Sequence, residues 1–222
     1  MDDTQCALCG ESILQHPDDP EMLRSDEHVV AKQFYPESIR RNLRDRLWTV
    51  PSHKRCNNGI KADEEYFYHR FAALVTARNE LMRGTLLEDM ERRAKRPQTR
   101  VMLRHMGKEC KNMTPGGILL PPTLVRVEFD LARVQRVAVK IVQCLFYKDF
   151  GKFVPRANFD HWEMVEEAGK LQPLFSDLCR TEPKAVDPRV FAYWDGEHDG
   201  CRYYSMVFWG AFMFCMSFQN PK

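Results

Sequence analysis

"SHKRCNNGIK", residues 52–61, sets His53 and Cys56 three positions apart and follows them with two asparagines. At that spacing a single turn aims two ligand atoms at one ion. A closed shell needs four donors, and "CALCG", residues 6–10, supplies a second pair, Cys6 and Cys9. Two short pairs around a longer insert are the pattern of a tetrahedral zinc site, so Cys6, Cys9, His53 and Cys56 are expected to hold a structural Zn2+. The competing reading is a redox C-x-x-C beside an unrelated core histidine. It asks for a strand-to-helix βαβ setting, which "CALCG" lacks. Cys110, Cys144, Cys179, Cys201 and Cys215 have no partner at chelating spacing and read as small core hydrophobes. A metal staple also explains how residues 1–60, poor in long apolar runs, become ordered.

The insert carries "SDEHVVAKQF", residues 25–34, with the acid–imidazole pair Glu27–His28. Taken together, "CALC", "DEHVV" and "SHKRCNNGIK" resemble the HNH, or ββα-metal, nuclease family over about residues 6–66. Zinc-stapled members of that family bracket an acid–His dipeptide with two C-x-x-C pairs, and an Asn or His follows the last cysteine. Asn57 and Lys61 match a "CN-x-x-x-K" ending. The chain departs from the pattern twice. His53 replaces one zinc cysteine, an exchange between two normal zinc ligands. The family's middle asparagine has no clear counterpart, Asn42 being the candidate. The resemblance implies an endonuclease that hydrolyses DNA, for which double-stranded DNA is the expected partner.

The chemistry asks for the same residue types. Phosphodiester hydrolysis requires an activated water, neutralisation of phosphate charge and help for the departing 3′ oxygen. A hard divalent cation does the last two jobs, and carboxylate and amide oxygens suit Mg2+ or Mn2+. Neighbouring residues of an extended segment point to opposite sides, so Glu27 and His28 are expected to divide the work. Glu27 and Asn57 are assigned to the cation and His28 to proton removal from water. The alternative from another class is a non-catalytic zinc module that binds nucleic acid or protein, with Glu27–His28 a structural pair.

A net charge of only +2 confines any nucleic-acid surface to a local patch. The candidates are Arg40, Arg41, Arg44 and Arg46 in "YPESIRRNLRDRLW", with Lys54, Arg55 and Lys61. Pro36, Glu37 and Ser38 there read as a helix opening. No apolar run approaches the ~20 residues of a membrane span. The acidic N-terminus lacks a signal-peptide layout, so a cytoplasmic, reduced protein is expected.

Downstream, "DEEYFYHRFAALVTARNELM", residues 63–82, reads as one amphipathic helix with Phe67, Phe71, Leu74, Leu81 and Met82 on a stripe. A basic helix follows and ends at Pro97. "NMTPGGILLPP", residues 112–122, is the clearest break. After it come a strand in "TLVRVEFD", a helix over 131–150 capped by Asp130, and a helix over about 161–179. Three strands close the pattern, turning at Gly196 and Gly200 and again at Gly210.

The expected fold class is α+β. A zinc-bound ββα-metal module (1–66) is followed by a helical connector (67–111) and an α+β domain with a mainly antiparallel sheet (112–222). That last domain is expected to bind a specific DNA feature, a protein partner or a second copy of itself. Small nuclease modules joined to unassigned domains resemble restriction, mobile-element or phage-defence effectors.

Overall fold

A computed structural model describes residues 4–43, 46–165 and 172–220. The N-terminal part is organised around a two-stranded ribbon. Strand β1 (Arg24–His28) pairs antiparallel with β2 (Thr49–His53), with Arg24 opposite His53 and Glu27 opposite Val50. Between them lie the 3-10 turn Lys32–Phe34 and the short helix α1 (Glu37–Arg40), which opens directly after Pro36. Helix α2 (Lys54–Arg78) starts at the residue after β2, so His53 ends the strand and stands at the helix N-cap position. The local order is therefore strand, strand, helix.

The helix read over 63–82 starts at Lys54 and stops at Arg78. Asn79 breaks it, because its side-chain oxygen accepts hydrogen bonds from the Leu81 and Met82 amides and so caps a new helix, α3 (Glu80–Ala94). The stripe splits accordingly. Phe67, Phe71 and Met82 are buried, whereas Leu81 is 92% exposed. The basic helix ends at Ala94, just ahead of Pro97, as the sequence suggests. Pro97 occupies the first turn of α4 (Pro97–Lys108), where its missing N–H costs nothing.

A small ribbon, β3 (Cys110–Lys111) with β4 (Arg126–Val127), frames the proline-rich break, so the strand read in "TLVRVEFD" shrinks to two residues. Helix α5 (Leu131–Phe150) forms where expected. The Asp130 side chain accepts from the Arg133 amide, and Gly151 at φ 67° ends the helix in the left-handed region.

The helix expected over 161–179 is replaced. β5 (Phe159–Val165) pairs antiparallel with β9 (Phe212–Gln219), and a short helix, α6, covers only Pro173–Leu178. Pro173 cannot continue a helix from upstream, and pairing with β9 overrides the weak local preference of "FDHWEMV". The rest of the sheet is β6 (Lys184–Asp187), β7 (Phe191–His198) and β8 (Cys201–Phe208), in the order β5-β9-β8-β7-β6, all antiparallel. The first hairpin turns at Asp199 and Gly200, both with positive φ, while Gly196 lies inside β7. The second turns at Trp209 and Gly210, again both positive.

Residues from all three expected segments share one hydrophobic cluster. Cys6, Val29 and Phe34 meet Phe67 and Phe71 of α2, Val142 of α5, and Phe208, Trp209 and Phe214 of the sheet. Phe34 stacks on Phe67 with centroids 5.2 Å apart, and Phe67 meets Phe208 edge-on at the same separation. The Trp209 indole donates to the Phe34 carbonyl at 3.1 Å. Among the described residues, no helix is long and apolar enough to cross a membrane.

Candidate metal centre and adjoining cleft

The first pair of candidate ligands sits in a turn built by backbone bonds. The Cys6 amide donates to Glu11 and the Gly10 amide to the Cys6 carbonyl, both at 2.9 Å. Gly10 is left-handed at φ 78°, and a Cβ placed on it would lie 2.5 Å from the Phe153 ring. Gly10→Ala should therefore cost roughly 2–4 kcal/mol, from the left-handed penalty plus the overlap with Phe153. Urea titration of the metal-loaded protein would measure it.

The turn delivers Cys6 and Cys9 to the point where β2 becomes α2, and there they meet His53 and Cys56. The four ligand atoms all lie within 4.8 Å of one another, and Cys6 and His53 are fully buried. A tetrahedral shell with Zn–S near 2.3 Å has ligand–ligand edges of roughly 3.8 Å. The Cys9 Sγ to His53 Nδ1 separation of 3.4 Å and the Cys56 Sγ to Nδ1 separation of 4.0 Å bracket that edge. His53 Nε2 lies 3.3 Å from the Ser12 carbonyl, the hydrogen bond that leaves Nδ1 as the ligand atom.

Without a cation this packing is electrostatically awkward. The hydrogen bond from Cys56 holds the Cys6 thiol near 4, while that same bond, then burial, pushes the Cys56 thiol far up. Three crowded sulfurs cannot all ionise unless positive charge is supplied. The donor set can hold a metal ion and fits zinc.

On the other side of the ribbon is a cleft of about 330 Å³ lined by Glu27, His28, Ala31, Lys32, Gln33, Asn57, Lys61, Glu64 and Glu65. Strand alternation buries Glu27, while His28 is half-buried. Asn57, Lys61 and Glu64 recur at helical spacing along α2 and form one wall. The Asn57 amide nitrogen donates to Ser25 Oγ at 3.0 Å and to the Asp26 carbonyl at 3.4 Å, which fixes the orientation of the amide. Burial, then Lys32 and Lys140, holds the His28 imidazole below its ordinary value, so it is neutral and able to accept a proton.

Glu27 is held from behind. Lys140, fully buried on α5, lies 2.6 Å from Glu27 Oε1 and 2.9 Å from Glu64 Oε1, and it donates to the His28 carbonyl at 2.6 Å. Burial opposes the ammonium, but Glu64 and Glu27 outweigh it and hold Lys140 above the ordinary lysine range. Glu27 itself is raised by burial, against the pull of Lys140. Its second oxygen, Oε2, is buried with no hydrogen-bond partner among the described residues.

Of the sequence candidates, the cleft brings together Glu27, His28, Asn57 and Lys61. Lys61 also donates to Asn58 at 2.7 Å. Arg40 and Arg41 line an adjoining hollow with Lys32 and Glu37, and Arg41 is paired with Glu37 at 2.8 Å. Lys54 and Arg55 stand apart from both: Lys54 lines a separate hollow beside Ile13 and Leu23, and Arg55 faces Glu11 at 3.5 Å. Arg46 is exposed in a turn, Arg44 lies outside the described residues, and Asn42 is exposed and not among the cleft residues.

Sequence reasoning missed Glu64 and Lys140. Glu64 carried a signal, since it falls seven residues after Asn57 on the same helical face. Lys140 carried another, a lone cation in the apolar run "VAVKIV". No family model, curated protein or solved structure matches this chain.

Proposed function

We propose that this protein is a metal-dependent endonuclease of HNH type that hydrolyses DNA phosphodiester bonds, with structural Zn2+ in the Cys6–Cys9–His53–Cys56 cluster. One observation carries the reading. On a strand–strand–helix frame, Glu27, whose Oε2 is buried with no hydrogen-bond partner among the described residues, lines the same cleft as a neutral imidazole and an oriented amide.

Glu27 Oε2 and the Asn57 oxygen would hold Mg2+ or Mn2+, hard cations that prefer oxygen donors. Bound there, the cation supplies charge neutralisation at the phosphate and stabilises the departing oxygen. The chain's own residues do the rest. His28 accepts a proton from the attacking water, and its half-buried position keeps the imidazole in the form that can do so. Lys32 and Lys61 add positive charge at the cleft. Arg40, in the adjoining hollow, extends that charge along a phosphate backbone.

The rival reading, a non-catalytic zinc module, draws on the Glu27–Lys140 ion pair, which a purely structural acid would also make. Supercoiled plasmid incubated with the full chain separates the two. Nicking or linearisation with Mg2+ or Mn2+, abolished by EDTA and restored by added Mn2+, is the expected result. Intact plasmid across a titration of both cations would leave the binding module.

A further inference from the structure

We propose that Lys140 is a positioning residue for the cleft: by gripping Glu27, Glu64 and the His28 carbonyl together, it decides which carboxylate oxygen faces a divalent cation. The inference rests on the metal-dependent reading above and assigns α5, outside the N-terminal ribbon and its helix, a part in that site.

A lysine ammonium has three N–H donors. At Lys140 all three find acceptors: Glu27 Oε1 at 2.6 Å, Glu64 Oε1 at 2.9 Å and the His28 carbonyl at 2.6 Å. The grip uses one oxygen of Glu27 and leaves Oε2, buried and without a partner among the described residues, on a residue that lines the cleft. Charge points the same way. Two carboxylates and one ammonium leave the group with a net charge of −1, enough to attract a cation. Two buried carboxylates alone would repel each other and draw Glu27 away from the position that Lys140 gives it. The carbonyl contact fixes the end of β1, so the backbone that carries His28 is set by the same ammonium. Stability is a poor explanation for such a group, because an apolar side chain of similar volume usually serves a core as well as a buried ion pair does.

The test uses the zinc-loaded full chain and Mn2+ alone as probe, with Mn2+ binding followed by electron paramagnetic resonance and cleavage followed on plasmid. Lys140→Met should keep its zinc but need roughly 10- to 100-fold more Mn2+ for half-saturation, the usual range for residues that orient a metal ligand. Lys140→Met with Glu64→Gln, which restores the −1 charge, should recover part of that loss. A merely structural lysine would change melting temperature without this charge rescue. A folded Lys140→Met protein with wild-type Mn2+ half-saturation would overturn the proposal.

If Lys140→Met does not fold, Glu64→Gln alone decides. It leaves the ammonium paired with Glu27 in a neutral group and should weaken Mn2+ binding roughly tenfold; an unchanged affinity would overturn the proposal. Wild-type protein that binds Mn2+ without cutting DNA ends the nuclease reading and leaves Lys140 to be judged by binding. Wild-type protein that binds no Mn2+ beyond the zinc cluster ends both.

Discussion

His28→Ala should lower the plasmid cleavage rate by roughly two to four orders of magnitude, the range for a positioned general base. The side chain is half-buried beside Lys32 and forms no part of the buried aromatic cluster, so the variant should fold and hold zinc normally. DNA retention should also survive, because Lys32, Lys61 and Arg40 carry the positive charge. Gel shift in Ca2+ measures that retention and cleavage in Mg2+ measures the chemistry. The informative outcome is their separation. Loss of both together would make His28 a structural residue, and loss of neither would remove it from the site.

Cys9→Ala should be the most damaging single change to the fold. Apparent zinc-binding energies of structural sites run to about 10–16 kcal/mol, whereas a whole domain is stable by only about 5–15 kcal/mol. Three remaining donors cannot close a tetrahedral shell, and crowded thiols without a cation repel one another. Zinc measured after gel filtration should fall from about one per chain to a small fraction of that. Limited proteolysis should open the turn around Gly10 before it reaches α5. Cleavage should vanish too, because β2 and the start of α2 carry both His53 and Asn57, and slack at one displaces the other. A Cys9→Ala protein with full zinc and native protease resistance would show that the other donors suffice.

The parts of this molecule that the sequence made legible are those decided within a few residues. Cys6–Cys9 and His53–Cys56 could be paired because each spacer is one turn long. Asp130 and Gly151 bound α5 by local capping. The last three strands were readable because alternation and turn residues are local. What escaped was decided at a distance. Lys140 meets the His28 carbonyl across 112 residues of chain, and no spacing rule reports such a contact. The segment around His161 reads as helix until β9 offers it a hydrogen-bonding edge. The break at Asn79 depends on a side chain that caps α3 and also donates to the Trp209 carbonyl at 2.8 Å. The basic residues were legible as charge but not as a surface, since a partner such as Glu11, which faces Arg55, comes from the fold.

Trp209 carries one more consequence, in the order of events during synthesis. Its indole, wholly buried, reaches the Phe34 carbonyl 175 residues earlier in the chain. The aromatic cluster around Phe34 and Phe67 thus stays open on one side until the β8–β9 hairpin has left the ribosome. Contacts of such long range form late and slowly. A ribosome-bound chain that has reached only α5 already contains every residue of the cleft but lacks the tryptophan that closes the cluster beside it. Whatever chemistry the cleft performs, the Phe34 cluster beside it is sealed only once Trp209 and the β8–β9 hairpin have docked.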